Sequence, residues 1–208
     1  MFEQKLNNWR NTTCVRCSNL FACRTQIVVA SACPSGGLLA VGEAPGADED
    51  IKGEGFVGAA GKTLNRLLAD HGIEREAYGR ANICRCRPPE NRKPTAKEIT
   101  ACLPFLADLI ESCRPRVILA VGGTPTSIFC GPGSLYSKIL ERERNNDWRA
   151  FVGAKQAHKE IKDALGNVLY VIPMPHTSPL AFNRNAPSGE KWSKIAERQV
   201  ALAVSLLD

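Results

Sequence analysis

The segment LLAVGEAPG, residues 38–46, decides the fold class, because it joins an apolar run to a tight glycine-rich turn. The run follows Gly36-Gly37 and carries no charge before Glu43, which is typical of a strand that is covered on both faces. Further strands are predicted along the chain at 81–84, at 117–122 (VILAVG) and at 168–175 (VLYVIPMP).

Helical patterns lie between these strands. Leucines at helical spacing predict a helix over 60–71, which Gly72 ends. Thr95 and Glu98 form a capping box for a helix over 95–113. Other helices are predicted over 2–12, from Thr124–Pro125 onwards, and over 189–207. The charged stretch 131–166 has weak periodicity, which predicts surface connections with a helix or a short strand pair.

Alternation of strands and helices predicts an α/β fold with three layers, α/β/α, around a central four-stranded parallel sheet. The 208 residues, 44% of them hydrophobic, suffice for a single domain over residues 1–208. Ligands of such sheets bind at the carboxyl ends of the strands. The unusual residues gather at these predicted ends, namely the GEAPG turn, Asn82, Gly122-Gly123 and His176. One edge of the sheet is therefore expected to hold the functional site.

Composition narrows the class of protein. The formal charge of +6 allows a polyanionic partner, and the surface of an ordinary soluble protein accounts for it equally well. No stretch reaches the roughly 18 apolar residues of a membrane span. The N-terminus, MFEQKLNNWRNTT, does not resemble a signal or transit peptide. We therefore expect a cytoplasmic monomer with no membrane partner.

Nine cysteines in a chain without a secretion signal favour metal ligation over disulfides. Two pairs have uneven spacing, Cys14-x2-Cys17 and Cys86-x15-Cys102. Four converging thiolates would bind zinc or an iron–sulfur cluster. Cys84, two residues before Cys86, competes for the same role. The remaining thiols are interpreted as small buried or surface side chains, and they are Cys23, Cys33, Cys113 and Cys130.

Four motifs in this order resemble the family 4 uracil-DNA glycosylases, which are iron–sulfur members of the uracil-DNA glycosylase superfamily. They are GEAPGADED (42–50), GEGFVGAAGKTL (53–64), NICRCRPPENRKPT (82–95) and PHTSPL (175–180). The resemblance covers roughly residues 12–185. It implies a monofunctional enzyme of base excision repair that hydrolyses the N-glycosidic bond of deoxyuridine. The substrate would be single- or double-stranded uracil-containing DNA, and the products would be uracil and an abasic site.

The resemblance also implies roles in the pocket. Gly42, Glu43 and Ala44 of the glycine-rich turn contact the uracil and the sugar. Because Ala44 cannot accept a proton, Glu49 is the expected water-positioning group. From its residues alone, the run Asp48–Asp50 is equally consistent with a solvated acidic surface.

Two further side chains would handle the base. Phe56 would stack on the flipped pyrimidine, and Gly55 stands before it where many relatives have proline, which predicts a more flexible loop. Asn82 would read uracil, since its amide offers a donor to O4 and an acceptor to N3–H at once. Cytosine presents the opposite polarity at both edges and would leave buried groups unpaired.

His176 resembles the superfamily histidine that donates a hydrogen bond to uracil O2 as negative charge develops. Thr177 follows it where proline is usual, which predicts a looser loop. Ser178 and Leu180 would lie against DNA, with Leu180 as a wedge in the gap that the flipped base leaves. Arg184 would meet a phosphate.

The cysteine motifs imply a 4Fe-4S cluster on Cys14, Cys17, Cys86 and Cys102, which would tie the N-terminal segment to the loop 86–102. Cys86 is preferred to Cys84 because it directly precedes Arg87-Pro88-Pro89, as in the family. The cations of this region would contact phosphates or would simply be solvated, and they are Arg85, Arg87, Arg92 and Lys93.

Other functions stay open. One is a broader glycosylase that also removes hypoxanthine or xanthine. Another, from a different class, is a non-catalytic four-cysteine metal module that binds nucleic acid. A relative that becomes trapped on its product carries a histidine-containing insertion, and RPPENRKPTAKE (87–98) has neither the insertion nor a histidine.

Overall fold

A computed structural model describes residues 8–150, 159–166 and 168–208. Its four strands are β1 (Leu38–Gly42), β2 (Gly79–Asn82), β3 (Val117–Val121) and β4 (Tyr170–Met174). They form one sheet in the order β2-β1-β3-β4, and every pair is parallel. The predicted four-stranded parallel sheet is confirmed.

Helices cover both faces of this sheet. The described helices are α1 (Ser18–Cys23), α2 (Ala47–Lys52), α3 (Ala59–Ala69), α4 (Ala96–Cys113), α5 (Gly123–Cys130), α6 (Leu135–Asn145), α7 (Lys159–Leu165), α8 (Pro179–Phe182) and α9 (Trp192–Ser205). Successive strand residues point to opposite faces. Leu39 and Ile118 therefore pack with α4 and α7, whereas Leu38 and Leu119 pack with α3 and α9. The result is the predicted three-layer α/β/α arrangement.

The predicted elements differ from the observed ones mainly at their ends. β2 begins and ends two residues earlier than expected, because the register pairs Gly42 with Asn82 and the two strands stop together. The capping box of α4 is confirmed: the backbone N–H of Glu98 donates to Thr95 Oγ1 (3.3 Å), and that of Thr95 donates to Glu98 Oε2 (2.7 Å). In the helix predicted over 2–12, residues 2–7 lie outside the described residues, and Asn8–Arg10 is a 3₁₀ turn.

The charged stretch 131–166 contains α6 and α7, and residues 151–158 within it lie outside the described ranges. Sequence periodicity did not predict the short helices α1 and α2. α2 matters for the site, because it turns the acidic run after the GEAPG turn into a helix. In the described part of the chain, no helix has the length and apolar character to cross a membrane.

Candidate active site

A cavity of about 490 Å³ opens at the carboxyl ends of the strands, where the sheet was expected to bind its ligand. Its volume is within the usual range for small-molecule sites. Eight of the predicted site residues line it: Gly42, Glu43, Ala44, Glu49, Phe56, Asn82, His176 and Ser178. The structure therefore brings together the residues predicted to hold the base, the catalytic pair and one predicted DNA contact.

Asn82 occupies the space that a side chain on Gly42 would fill. A Cβ on Gly42 would overlap Asn82 Oδ1 and would lie 3.1 Å from Phe56 Cζ. Nδ2 of Asn82 lies 3.9 Å from the ideal Cβ position of Gly55. Within the described residues no hydrogen bond to the Asn82 side chain is found, so its donor and its acceptor are available to a ligand.

Phe56 has a backbone conformation that is unusual for a side chain of its size. Its φ is +58°, in the left-handed region that costs about 1–2 kcal/mol for a residue with a Cβ. Gly61 of α3 allows the Phe56 backbone to lie directly on the helix, because a Cβ there would overlap it. Strain of this kind is maintained only when the surroundings fix it, and it is common at binding sites.

His176 follows β4, and its imidazole faces the open cavity. The backbone N–H of Ser178 donates to Nδ1 (3.1 Å), so a neutral ring carries its proton on Nε2. His176 is exposed to the open cavity, yet the protein around its ring displaces enough water to lower its pKa, and the nearby carboxylates of Glu43 and Glu49 oppose that effect. The site therefore holds a neutral hydrogen-bond donor. Gly122 (φ +98°) packs against the ring, with its ideal Cβ position 3.4 Å from Cδ2.

Thr177 anchors the histidine loop. Its side chain is fully buried, and its hydroxyl donates to the carbonyl of Ala60 in α3 (2.8 Å). A hydrogen bond to α3 therefore restrains the loop at the position where proline is usual.

Glu49 joins the two loops that frame the cavity. Its Oε2 accepts from the backbone N–H of Gly46 (2.8 Å), and its Oε1 accepts from that of Gly58 (3.2 Å). Glu49 therefore caps α2 and also holds the Phe56 loop. Asp50 is buried and accepts from the backbone N–H of Thr25 (3.0 Å), so the acidic run is not simply a solvated surface.

The sequence did not predict that Thr124 belongs to the site. Its hydroxyl donates to the Glu43 carboxylate across the ends of β1 and β3. Thr124 and Glu43 are 81 positions apart, and no local pattern connects them. The helix predicted from Thr124–Pro125 was the one sequence signal that could have placed Thr124 in the site. A residue that begins a helix directly after a strand lies at the carboxyl end of that strand, where ligands bind.

The loop after Cys86 forms another wall of the cavity through Pro88, Asn91 and Arg92, which the sequence did not assign to the pocket. Arg87 Nε donates to Asn91 Oδ1 (2.8 Å). Asn91 has φ +55° and is exposed at the rim. An amide in this place can bind water or substrate.

Arg85 and Arg92, like Arg87, already make side-chain hydrogen bonds within the protein. Arg85 is buried, donates to the carbonyls of Trp9 (2.8 Å) and Asn11 (3.0 Å), and its guanidinium carbon lies 3.7 Å from the ring centroid of Phe105. Arg92 makes two hydrogen bonds to Glu98 (2.7 and 2.9 Å).

Arg92 lowers the pKa of Glu98 to about 2 through these bonds. Arg87 is half-buried, and Lys93 is exposed. The phosphate-contacting surface predicted for this loop is therefore smaller than the sequence indicated.

The other predicted DNA contacts lie beside the cavity. Ser178 precedes α8 and lines the cavity wall. Leu180 of α8 is 71% exposed, which is unusual for a leucine, and Arg184 is exposed two residues after the helix ends. An exposed apolar side chain beside a base-sized cavity is the arrangement that a wedge requires.

Comparison with known proteins agrees with this arrangement. The profile of the uracil DNA glycosylase superfamily matches residues 30–198. The type-4 uracil-DNA glycosylase of Sulfurisphaera tokodaii is 36% identical over 190 residues, which are 89% of this chain and 80% of the relative. This chain belongs to the uracil DNA glycosylase superfamily.

Further relatives place it near the type-4 members of that superfamily. The type-4 uracil-DNA glycosylase of Thermotoga maritima is 39% identical over 162 residues, covering 78% of this chain and 75% of the relative. A type-5 uracil-DNA glycosylase of Pyrobaculum aerophilum is 28% identical over 138 residues, covering 64% of this chain and half of the relative. The family predicted from the four motifs is therefore confirmed.

Of the four cysteines assigned from the family motifs, Cys14, Cys17 and Cys86 pack around one apolar cluster. Cys102 approaches them from α4. Burial, together with the charges of the other three thiols, raises the pKa of Cys17 to about 11. Arg24 Nη1 donates to Cys86 Sγ (3.1 Å), and the backbone N–H of Arg85 donates to Cys102 Sγ (3.3 Å).

Hydrogen bonds to ligand sulfurs are characteristic of iron–sulfur sites. The donor set of four neighbouring thiols therefore fits a cluster in which each thiolate binds its own iron. In the described ranges, no three His, Cys, Asp or Glu side chains are close enough together to hold a single metal ion.

Cys84 lies in the same neighbourhood. It is fully buried, and a hydrogen bond between the Cys84 and Cys102 thiols raises the pKa of Cys84 and lowers that of Cys102 to about 6. β2 ends at Asn82, so strand alternation does not relate Cys84 to Cys86. The structure therefore leaves Cys84 beside the four expected ligands.

Proposed function

We propose that this protein is a DNA repair glycosylase that hydrolyses the N-glycosidic bond of deoxyuridine in DNA. One observation supports this proposal above the others. A single cavity presents a stacking ring (Phe56), a side-chain amide with no protein partner in the described chain (Asn82) and a neutral Nε2–H donor (His176). Similarity to type-4 uracil-DNA glycosylases supplies the substrate.

Each of these groups would act on a base that has left the duplex. Phe56 would stack on the uracil ring. The Asn82 amide would donate to O4 and accept from N3–H, an arrangement that cytosine cannot satisfy. His176 Nε2–H would donate to O2 as negative charge develops there, and a preorganised donor of this type stabilises the transition state.

The attacking water needs a carboxylate to position it, and two carboxylates line the cavity. Glu49 is our proposal for this role, and its two backbone hydrogen bonds fix the orientation of its carboxylate while leaving lone pairs for water. Glu43, held by Thr124, is the second carboxylate of the wall. Its proposed role is to contact the substrate together with Gly42 and Ala44.

We place DNA across the rim of the cavity. Leu180 would enter the gap left by the flipped nucleotide, and Ser178, Arg184 and Arg87 would contact the backbone on either side. The exposure of Leu180 and Arg184 supports this placement.

The proposed cofactor is a 4Fe-4S cluster on Cys14, Cys17, Cys86 and Cys102. When bound, it would link the N-terminal segment to the loop that forms the Pro88–Arg92 wall of the cavity. Hydrolysis of an N-glycosidic bond transfers no electrons, so the role proposed for the cluster is structural. Residues 1–208 would then form one domain, and we expect it to act as a monomer in the cytoplasm.

Release of free uracil from a uracil-containing oligonucleotide tests the proposal. The substrates should be uracil, hypoxanthine, xanthine and thymine opposite each base, in single and double strands. Release of uracil alone supports a uracil-specific enzyme, and release of the purines as well supports a broader glycosylase. DNA binding without release of any base would support the non-catalytic module instead.

A further inference from the structure

Arg75 binds the backbone of the loop that carries Phe56. Its Nη1 donates to the carbonyl of Phe56 (2.8 Å), and its Nη2 donates to the carbonyl of Gly55 (2.9 Å). A third contact is an ion pair with Glu54 (3.5 Å), whose side chain is mostly exposed. One guanidinium therefore holds three consecutive residues, and the planar fork of arginine suits such paired carbonyl contacts.

The rest of the protein fixes the position of Arg75. Its Nη1 also contacts Asn65 Oδ1 of α3 (3.4 Å), and the buried hydroxyl of Tyr78 donates to the same oxygen. The Arg75 carbonyl accepts from the guanidinium of Arg80 on β2. Arg75 is thus tied to α3 through Asn65 and to β2 through Arg80.

The Phe56 loop needs an external restraint. Phe56 is left-handed at φ +58°, and Gly55 supplies none of the rigidity that a proline would supply before it. Gly61 supports the Phe56 backbone from the α3 side. Arg75 binds the carbonyls of Phe56 and Gly55, so α3 and Arg75 both contact the backbone of the strained residue.

We propose that Arg75 is a positioning residue for base binding, which holds the Phe56 ring in its stacking orientation at the cavity wall. The inference rests on the proposed function, since it assumes that Phe56 stacks on uracil. Arg75 does not line the cavity itself, so its influence on the base passes through the backbone of Phe56.

The experiment measures inhibition of uracil excision by free uracil, because the inhibition constant reports the base pocket separately from DNA binding. In Arg75→Ala we expect the inhibition constant to rise about 10-fold, because a displaced Phe56 ring would lose part of its stacking on uracil. Arg75→Lys should recover part of the affinity, since an ammonium can still donate to one carbonyl. Arg66→Ala is the matched control: Arg66 is exposed on α3 and carries the same charge, and its inhibition constant should be that of the wild type.

A double-mutant cycle separates positioning from a general loss of structure. If Arg75 acts through Phe56, then Arg75→Ala should change the inhibition constant less than 2-fold when Phe56 is already alanine. Full additivity with Phe56→Ala, or a wild-type inhibition constant in Arg75→Ala, would overturn the inference. Should Arg75→Ala fail to fold, Arg75→Lys takes its place in the cycle, and an increase in its inhibition constant that is fully additive with Phe56→Ala would overturn the inference equally. A wild-type protein that releases no uracil would instead refute the proposed function.

Discussion

Gly42 and Asn82 end two paired strands at the same level, and the Asn82 side chain fills the space that a Cβ on Gly42 would need. Parallel register thus brings a glycine into direct contact with the amide that we propose reads the base. The backbone conformation of Gly42 does not require glycine, since its φ is not in the left-handed region. Glycine is required there because a side chain would overlap Asn82.

Gly42→Ala should therefore damage base recognition. The new methyl group overlaps Asn82 Oδ1 and crowds the Phe56 ring, so one of these groups must move. We expect a loss of uracil excision of about 10²-fold under single-turnover conditions, the typical effect of misplacing a binding group. Gly42→Ala introduced into Asn82→Ala should cost far less, and an equal cost in both backgrounds would show that Asn82 is not the group displaced.

Asn82→Asp should change which base is removed. A carboxylate has no donor for uracil O4 but can accept from the amino group of cytosine, so uracil excision should fall and cytosine excision should become detectable. The measurement is a comparison of the two bases in otherwise identical oligonucleotides. Unchanged uracil excision in Asn82→Ala would remove this residue from the pocket.

Glu49 variants test the water-positioning role. Glu49→Ala should lower the single-turnover rate by on the order of 10²-fold, the lower end for a lost general base. Because Glu49 also caps α2 and holds Gly58, the same variant should lose about 1 kcal/mol of stability. Unfolding midpoints separate the two effects. A full single-turnover rate in Glu49→Ala would show that another group positions the water. Glu43 is the first alternative, and Glu43→Gln is the variant to measure.

Cluster ligation predicts a brown protein after anaerobic purification, with iron and sulfide at about four each per chain. Chelation or oxidative loss of the iron should lower the unfolding midpoint, since the cluster would tie two segments together. Cys86→Ser should lose iron and stability, whereas Cys23→Ser, an exposed cysteine, should retain both. Zinc in place of iron, or a colourless protein, would refute the assignment. Cys84→Ser shows whether the thiol beside Cys102 contributes.

The sequence predicted β1 and β3 well because both are continuous apolar runs, whereas β2 (GRAN) is not, and its bounds were predicted two residues too late. β1 and β3 are recognisable from four or five residues each, and the α4 capping box is local, three residues apart. Their partners across the sheet follow from parallel connectivity. The strand-end rule correctly predicts that Asn82 and His176 lie at one edge of the sheet.

The parts that the sequence did not predict are contacts between distant segments. Glu49 binds Gly58 through a helix too short to show a periodic pattern, and Thr124 reaches Glu43 from another strand. Thr177 replaces a proline with a hydrogen bond to α3 that no local rule predicts. The burial of Arg85 was missed for the same reason, since a basic residue beside a basic loop is ordinarily expected at the surface.

The protonation state of His176 predicts how the excision rate depends on pH. Burial lowers the pKa of this imidazole below its usual 6.5, so the ring stays neutral to more acidic pH than a free histidine. Protonation would place a hydrogen on Nδ1 and break the bond from the Ser178 N–H. The excision rate constant should therefore be constant near neutral pH and should fall as the pH drops through a value below 6.5. An acid limb with an apparent pKa above 6.5 would contradict this assignment.

The decisive measurement is the release of free uracil in a single turnover, compared between the wild type and His176→Ala. The wild type should convert uracil-containing DNA to abasic DNA and free uracil. His176→Ala should be slower by about 10²–10³-fold, the usual cost of one preorganised donor, should lose the acid limb, and should still bind the DNA. No uracil release by the wild type, or a wild-type rate in His176→Ala, would contradict the account.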